Sequence, residues 1–263
     1  MQSTTNTADY GIAPAGYRLP AALRLGRVRL QVADLERSLA YYEGVLGLRV
    51  LDRADGRASL GAHAGAGTGR SERDAVLVEL HERPGATPVP RRGRLGLYHF
   101  AILLPDRAAL GRFVAHLAEI GARAGASDHL VSEALYLTDP DGLGIEVYAD
   151  RPRSSWRHEG RQILMATEPL DLQDVAAAAR GEPWAGMPAG TVVGHVHLFV
   201  GDLGAAESFF HQALGFDKVV WSYPGALFLS AGGYHHHLGT NTWAAHAPAA
   251  TDEDARLLDW EVV

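Results

Sequence analysis

The chain has 263 residues, a net charge of −7 and a pI of about 6.0, a balance that argues against nucleic-acid binding, which needs a basic surface. It contains no cysteine, so disulfides and thiolate metal sites are excluded, and any metal must be bound by the carboxylates or the 13 histidines. The N-terminus lacks the pattern of a signal peptide, and no apolar run approaches the roughly 18 residues of a membrane span. We therefore expect a cytoplasmic protein with no membrane partner.

Residues 1–22 are polar, carry Gly and Pro, and are predicted to form a loosely held arm. Residues 23–90 are predicted to form a first unit, module one. It opens with the alternating strand LGRVRLQV from Leu25, followed by a helix with Asp34 as its N-cap and Gly47 at its end. The sequence GAHAGAGTGRSERD is predicted to be a flexible insertion, and short strands are predicted at 48–52, 57–60 and 75–80.

The same order of elements recurs along the chain. Module two (94–150) repeats it with LYHFAILL and a helix, and module three (191–245) repeats it with GHVHLFV and GDLGAAESFFHQALGF. A linker at 151–190 is predicted to be a loop with a short helix in LQDVAAAARG, and 255–263 is expected to begin an incomplete module four. Because internal repetition of this kind identifies the structural unit, the sequence predicts an α+β fold of βαβββ modules.

The stretch HLVSEALYLTDPDGLGIE, from His129 to Glu146, has the pattern of two strands joined by a turn. Its centre, Asp139-Pro140-Asp141-Gly142, has typical turn composition. Glu146 then lies within an apolar strand, where a carboxylate is costly to bury unless a positive charge lies beside it. A bound metal ion would supply that charge.

This stretch resembles the signature of the extradiol ring-cleaving dioxygenases of the vicinal oxygen chelate superfamily. The signature positions match at fixed spacing, and Ser127 departs from the residue types usual at one outer position; the matching residues are His129, Leu135, Tyr136, Asp139, Pro140, Gly142 and Glu146. The likeness to the two-domain catechol 2,3-dioxygenase family extends over roughly residues 24–263. It implies that pairs of modules form two half-open barrels, one of which surrounds a metal.

In that family one His comes from the first strand of each paired module and a Glu comes from a last strand. The resemblance therefore implies the ligands His99, Glu146 and His195, and a metal barrel made from modules two and three. Arg27 and Trp260 stand at the matching positions of modules one and four and are not ordinary ligands. A two-His, one-carboxylate set is typical of non-haem Fe(II) oxygenases, with Mn(II) kept as an alternative.

The resemblance also implies the catalytic residues. In YHHHLG, which we expect on the last strand of module three, His236 matches the acid–base His and faces away from its two His neighbours. Tyr136 and His129 match residues on the substrate side of the metal. Strand periodicity does not separate His195 from His197, and the GHV register shared with the family favours His195. The alternatives left open are a surface His patch around His236 and a core role for Tyr136.

The implied function is Fe(II)-dependent extradiol cleavage of a catechol-type aromatic diol with O₂. Two alternatives are a metal-dependent glyoxalase-like isomerase or lyase, whose sites commonly hold a second carboxylate, and a non-catalytic protein that binds aromatics or antibiotics. Homo-oligomerisation is left open. Arg27 is expected in the metal-free barrel, near the strand of Trp260. The open edge of this metal-free barrel is expected to be covered by residues beyond Val263 or by a partner chain, with the former favoured.

Overall fold

The computed structural model describes residues 10–63 and 76–263 and consists mainly of strands. The strands in chain order are β1 (Leu25–Val32), β2 (Arg49–Ala54), β3 (Arg57–Gly61), β4 (Val76–Glu82), β5 (Gly96–Leu103), β6 (Gly125–Asp128), β7 (Ser132–Thr138), β8 (Gly144–Asp150), β9 (His158–Glu159), β10 (Gln162–Ile163), β11 (Val192–Phe199), β12 (Asp217–Val220), β13 (Ala226–Ser230), β14 (Leu238–Asn241) and β15 (Arg256–Val262). The helices are α1 (Leu35–Gly44), α2 (Arg107–Glu119), α3 (Leu172–Ala177) and α4 (Leu203–Ala206), the last continuing as a π-helical segment (Glu207–Ala213).

An eight-stranded sheet contains the strands of modules two and three in the order β12-β13-β14-β11-β5-β8-β7-β6. Its central pair, β11 and β5, is antiparallel and joins the two modules. In this pair His197 lies opposite His99, and His195 lies opposite Ala101. The first strands of two repeats are therefore neighbours at the middle of one sheet.

A five-stranded sheet contains the strands of module one together with β15, in the order β15-β1-β4-β3-β2. Val28 on β1 pairs with Trp260 on β15. Beside them Arg27 forms ion pairs with Glu79 at 2.9 Å and with Glu261 at 3.0 Å. Arg27 thus lies in the other sheet, close to the strand of Trp260, and has two carboxylate partners.

Three helices begin in the same way. Asp34, Asp106 and Asp202 have extended backbones, and each side chain accepts a hydrogen bond from a backbone N–H three residues later. This capping satisfies a donor that the first helical turn leaves without a partner. The repeated cap explains why each module turns from its first strand into a helix that packs on the sheet.

Several features differ from the sequence expectations. The described part of the arm is not loosely held, because Gly11 donates to Arg161 and Ile12 exchanges backbone hydrogen bonds with Lys218. The linker contains, besides α3, a 3₁₀ turn (Arg153–Ser155) and the hairpin of β9 and β10. The expected insertion GAHAGAGTGRSERD lies mostly outside the described residues. Within 10–63 and 76–263, none of the helices combines the length and hydropathy that a membrane crossing requires.

The predicted strand through YHHHLG is wrong, because β14 begins only at Leu238. Gly232 and Gly233 both have positive φ, at 61° and 68°, and they turn the chain sharply after β13. Backbone in that conformation is readily adopted by glycine and interrupts a strand. The three histidines therefore lie in the segment between β13 and β14, and the two-residue periodicity used to orient them does not apply.

Candidate metal centre

Three adjacent strands of the eight-stranded sheet bring His99, Glu146 and His195 to one point. His99 is on β5, Glu146 on β8 and His195 on β11. Their facing atoms are separated by 3.1 Å (His99 Nε2 to Glu146 Oε2), 3.2 Å (His195 Nε2 to the same oxygen) and 3.3 Å (between the two Nε2 atoms). All three side chains are buried. The residues inferred as ligands are thus within 4.8 Å of one another.

The charge state of this cluster suits a cation. Burial alone would raise the pKa of the Glu146 carboxyl, but its contacts with His195 and His99 hold that pKa well below its usual range. Burial lowers the pKa of His195 to about 4, so its imidazole is neutral near pH 7. A buried carboxylate without Arg or Lys beside it is costly. An ionised carboxylate and a neutral imidazole are also the forms that bind metals.

The spacing of the three atoms fits a single ion. Two ligands about 2.1 Å from one metal lie about 3.0 Å apart at a right angle and about 3.4 Å apart at the tetrahedral angle. The observed separations of 3.1–3.3 Å fall between these limits. Two imidazoles and one carboxylate grouped on one side of an ion form the donor set of non-haem Fe(II) sites.

Packing holds the two imidazole rings in place. The Nδ1 atoms of His99 and His195 are buried and have no hydrogen-bond partner in the described part of the chain. Instead the His99 ring lies 4.6 Å from Tyr98, and the His195 ring lies 5.0 Å from Tyr148, measured between centroids. A Cβ atom at Gly194 would lie 1.9 Å from the Tyr148 hydroxyl, so only glycine at this position leaves room for Tyr148 beside His195.

His197 is buried on the same strand as His195 but points to other partners. Its Nε2 lies 3.0 Å from the side-chain nitrogen of Asn241, from which it can accept a hydrogen bond. It is not part of the cluster of three potential ligands found among the described residues. The geometry therefore separates the two histidines that strand periodicity leaves equivalent.

His236 lines the cavity above the cluster, with its ring centroid 4.0 Å from that of His195. Burial and the neighbouring histidines lower its pKa well below the usual value, so the ring is neutral near pH 7. Its Nδ1 lies 2.7 Å from Nδ1 of His235, whose Nε2 lies 2.9 Å from Asp150. Because an ionised carboxylate only accepts, Nε2 of His235 donates to Asp150, and Nδ1 of His235 can accept from the Nδ1–H of His236. Nε2 of His236 then keeps a free lone pair.

Tyr136 and His129 form a second pair on the cavity wall. His129 Nδ1 lies 2.7 Å from the carbonyl oxygen of Ala166, which only accepts, so this nitrogen donates the hydrogen bond. Nε2 of His129 lies 2.5 Å from the Tyr136 hydroxyl, from which it can accept a hydrogen bond. The sequence-predicted catalytic residues therefore lie around one cavity with His99 and Glu146.

The cavity has a volume of about 660 Å³ and a largely aromatic wall. Sequence reasoning missed most of this wall, namely Arg91, Arg92, Tyr98, Tyr223, Phe228 and Trp243. Met165, Ala166 and Thr167 also line it, and they come from the 151–170 segment that could not be placed from sequence. The positive φ of 56° at Arg92 has no sequence signal, since the turn contains a non-glycine residue in a conformation that favours glycine.

The family model described as Glyoxalase/Bleomycin resistance protein/Dioxygenase superfamily matches residues 24–147 and 192–255. The chain belongs to this superfamily. The matched ranges contain all three residues of the His99–Glu146–His195 cluster. The predicted vicinal oxygen chelate fold is thereby confirmed.

Similar proteins include both oxygenases and lyases. The chain is 46% identical over 242 residues to the catechol-2,3-dioxygenase of Bacillus subtilis (strain 168), an alignment that covers 91% of this chain and 81% of the relative. It is 31% identical over 128 residues to the lactoylglutathione lyase of Neisseria meningitidis serogroup A, covering 47% and 88% of the two chains. The crystal structure of glyoxalase I from Zea mays shares the fold, with a TM-score of 0.52 and 19% identity, over 92% of this chain and 74% of that one.

Proposed function

We propose that this protein is an extradiol dioxygenase that cleaves a catechol-type aromatic with O₂. One observation carries the proposal: a buried two-His, one-carboxylate cluster lies at a cavity that also contains His129, Tyr136 and His236. The 46% identity to the Bacillus catechol-2,3-dioxygenase, over most of both chains, supports the same reaction.

The metal is proposed to be Fe(II), held by His99, Glu146 and His195. The donor set is that of non-haem Fe(II) oxygenases, and Mn(II) is the alternative with similar ligand preferences. When bound, the metal supplies a redox-active, positively charged centre that favours an anionic catecholate and allows electron exchange with O₂.

The other cavity residues act on protons and orientation. The neutral His236, with Nε2 free, is positioned to take a proton from a catechol hydroxyl and to return it later. Tyr136 is oriented by His129 and offers its hydroxyl oxygen to a substrate hydroxyl. Both oxygen atoms of O₂ enter the ring-opened semialdehyde, so the reaction requires no further reductant.

The rival functions have less support. A glyoxalase-like isomerase would be expected to hold a second carboxylate, whereas the cluster found among the described residues contains Glu146 alone. A protein that only binds aromatics has no need of an ionised, buried carboxylate facing two imidazoles. The cytoplasmic location and the oligomeric state expected from the sequence stay predictions.

The decisive experiment is anaerobic reconstitution with Fe(II), followed by oxygen-electrode measurements with catechol. Stoichiometric oxygen uptake with formation of a yellow product supports the proposal, and reconstitution with Mn(II) in parallel identifies the preferred metal. Iron binding without oxygen uptake on any catechol of a small panel would refute it. Isomerisation of a thiol adduct of methylglyoxal would instead favour the glyoxalase-like alternative.

A further inference from the structure

A turn at residues 90–93 places two arginines at the wall of the candidate active site. Arg91 and Arg92 line both the 660 Å³ cavity and an adjoining cavity of about 390 Å³. The turn is closed by a 2.8 Å hydrogen bond from the Gly93 N–H to the Pro90 carbonyl, and Arg92 adopts a φ of 56°. This left-handed conformation is unfavourable for a non-glycine residue. The turn thus carries two adjacent, exposed cations at the wall of both cavities.

Neither arginine is neutralised by the protein. Arg91 and Arg92 form no ion pair or side-chain hydrogen bond with any residue in 10–63 and 76–263, whereas the nearby Arg94 is paired with Asp254 at 2.9 Å. Both arginines line the cavity wall together with Tyr98, whose ring packs against His99. Two unpaired guanidinium groups beside a cavity are suited to bind an anion.

The lining offers these arginines no carboxylate of its own within reach. Among the described residues that line either cavity, Glu146 is the only carboxylate, and it faces His99 and His195. An added cation at the cluster would make the site still more positive. Any negative charge that accompanies Arg91 and Arg92 must therefore come from the ligand or from solvent.

The cavities are also large for a simple diol. A volume of about 660 Å³ lies within the range of pockets that enclose drug-sized ligands. A single ring chelated at the cluster leaves much of this space unfilled. His99 and Tyr136 line both cavities, so the two cavities adjoin at the cluster and both extend to Arg91 and Arg92.

We propose that Arg91 and Arg92 select catechols whose ring carries a substituent ending in an anionic group, such as a carboxylate. This inference rests on the proposed function, since the diol is taken to be held at the cluster. The substituent then projects from the ring toward the 90–93 turn, where its charge is paired. Charge-assisted hydrogen bonds of this kind contribute about 1.5–3 kcal/mol, so a preference of about 10- to 100-fold over a neutral isostere is expected.

The test compares three catechols that differ only at the end of the substituent: 3,4-dihydroxyphenylacetate, its amide, and the amine dopamine. For the iron-loaded enzyme, kcat/KM is expected to be highest for the acid and lowest for the amine. In the double variant Arg91→Gln/Arg92→Gln, the ratio of kcat/KM for the acid to kcat/KM for the amide should fall to within about threefold of one. Arg123→Gln removes an exposed arginine that lies outside both cavities, and it should leave the ratio at the wild-type value.

Calorimetry under anaerobic conditions measures the affinities for the acid and the amide, and this second measurement does not depend on turnover. Wild-type protein that binds and oxidises the amide as well as the acid would overturn the inference, as would a double variant that keeps the preference. The single variants Arg91→Gln and Arg92→Gln provide the same comparison if the double variant is unstable. If no catechol is oxidised, the proposed function fails. The ratio of the calorimetric affinities for the acid and the amide still tests whether the arginines recognise an anion.

Discussion

The Tyr42 hydroxyl donates a hydrogen bond to Asp139 at 3.1 Å, and this contact links helix α1 of module one to the turn between β7 and β8. The same turn is held at Asp141, which forms an ion pair with Arg37 and accepts from the Ala33 N–H at 2.9 Å. The turn that belongs to the metal-site signature therefore also docks one half of the protein onto the other.

Tyr42→Phe should lower the free energy of unfolding by about 1–3 kcal/mol, because a buried carboxylate oxygen loses its donor. Urea denaturation followed by fluorescence measures this change. Tyr41→Phe is the matched control, since the Tyr41 hydroxyl makes no hydrogen bond with a described residue, and it should change stability by less than about 0.5 kcal/mol. Equal effects of the two substitutions would contradict a specific role for the Tyr42–Asp139 contact.

Asp139 should make stability fall as pH rises from about 4 to about 6. Burial raises the pKa of this carboxyl from 3.8 to about 6, despite hydrogen bonds from the Leu143 and Asp141 N–H groups. The folded state then binds the proton more tightly than the unfolded state, so deprotonation costs stability, by about 3 kcal/mol over this interval. Asp139→Asn should remove this slope in urea titrations at a series of pH values. A variant with the wild-type pH dependence would show that another group is responsible.

Replacing any of His99, Glu146 and His195 by Ala should remove most of the bound iron. The loss in Fe(II) affinity should exceed the about 10- to 100-fold effect of residues that only support ligands. Metal analysis after anaerobic loading and desalting measures it. His197→Ala is the control, because this buried histidine lies on the same strand and pairs with Asn241, and it should retain iron. Near-stoichiometric iron in a triad variant would rule out that residue as a ligand.

His236→Ala should retain iron and bind catechol but lower kcat by about 100- to 10,000-fold, the usual effect of removing a general acid–base. Stopped-flow measurements of substrate binding and product formation separate these two properties. If the variant instead loses its iron, His236 is a ligand, and the triad must be revised.

Asp150→Asn should lower kcat by about tenfold or more while iron content and KM change little. The carboxylate of Asp150 accepts from Nε2 of His235, and this orientation leaves Nε2 of His236 free. An amide can accept or donate, so the substitution no longer fixes the orientation of either imidazole. Tyr234→Phe removes another hydrogen bond to Asp150, of 3.2 Å, and the 2.6 Å contact with the Tyr148 hydroxyl, but keeps the ring that packs against His235. A smaller effect of Tyr234→Phe than of Asp150→Asn is expected, and the reverse order would exclude the orienting role.

Much of the fold could be read from the sequence because it repeats. The alternating first strands and the Asp caps recur at equal places, and a repeated unit of this kind must pack in the same way each time. The grouping of His99, Glu146 and His195 was implied by the family resemblance, applied to the positions of these residues within the repeats. Strand periodicity did not separate His195 from His197, because both side chains leave the strand on the same side, and the choice of His195 rested on the GHV register shared with the family.

Other features depend on contacts between distant parts of the chain. Nothing near Tyr42 or Asp139 in sequence indicates that they meet, and Arg92 adopts a backbone conformation that its residue type does not favour. The turn before the three histidines did have a signal: consecutive glycines at 232 and 233 are typical of a turn. Extending the strand pattern through them caused the wrong assignment of YHHHLG.

The pairing of β5 with β11 has a consequence for the order of events during synthesis of the protein. His99 and Glu146 are made early, but the third member of the cluster lies on a strand that leaves the ribosome 49 residues after Glu146. A nascent chain that ends before His195 contains only two of the three residues of the cluster. A metal ion that needs all three residues would therefore be bound only after the strand of His195 has paired with β5.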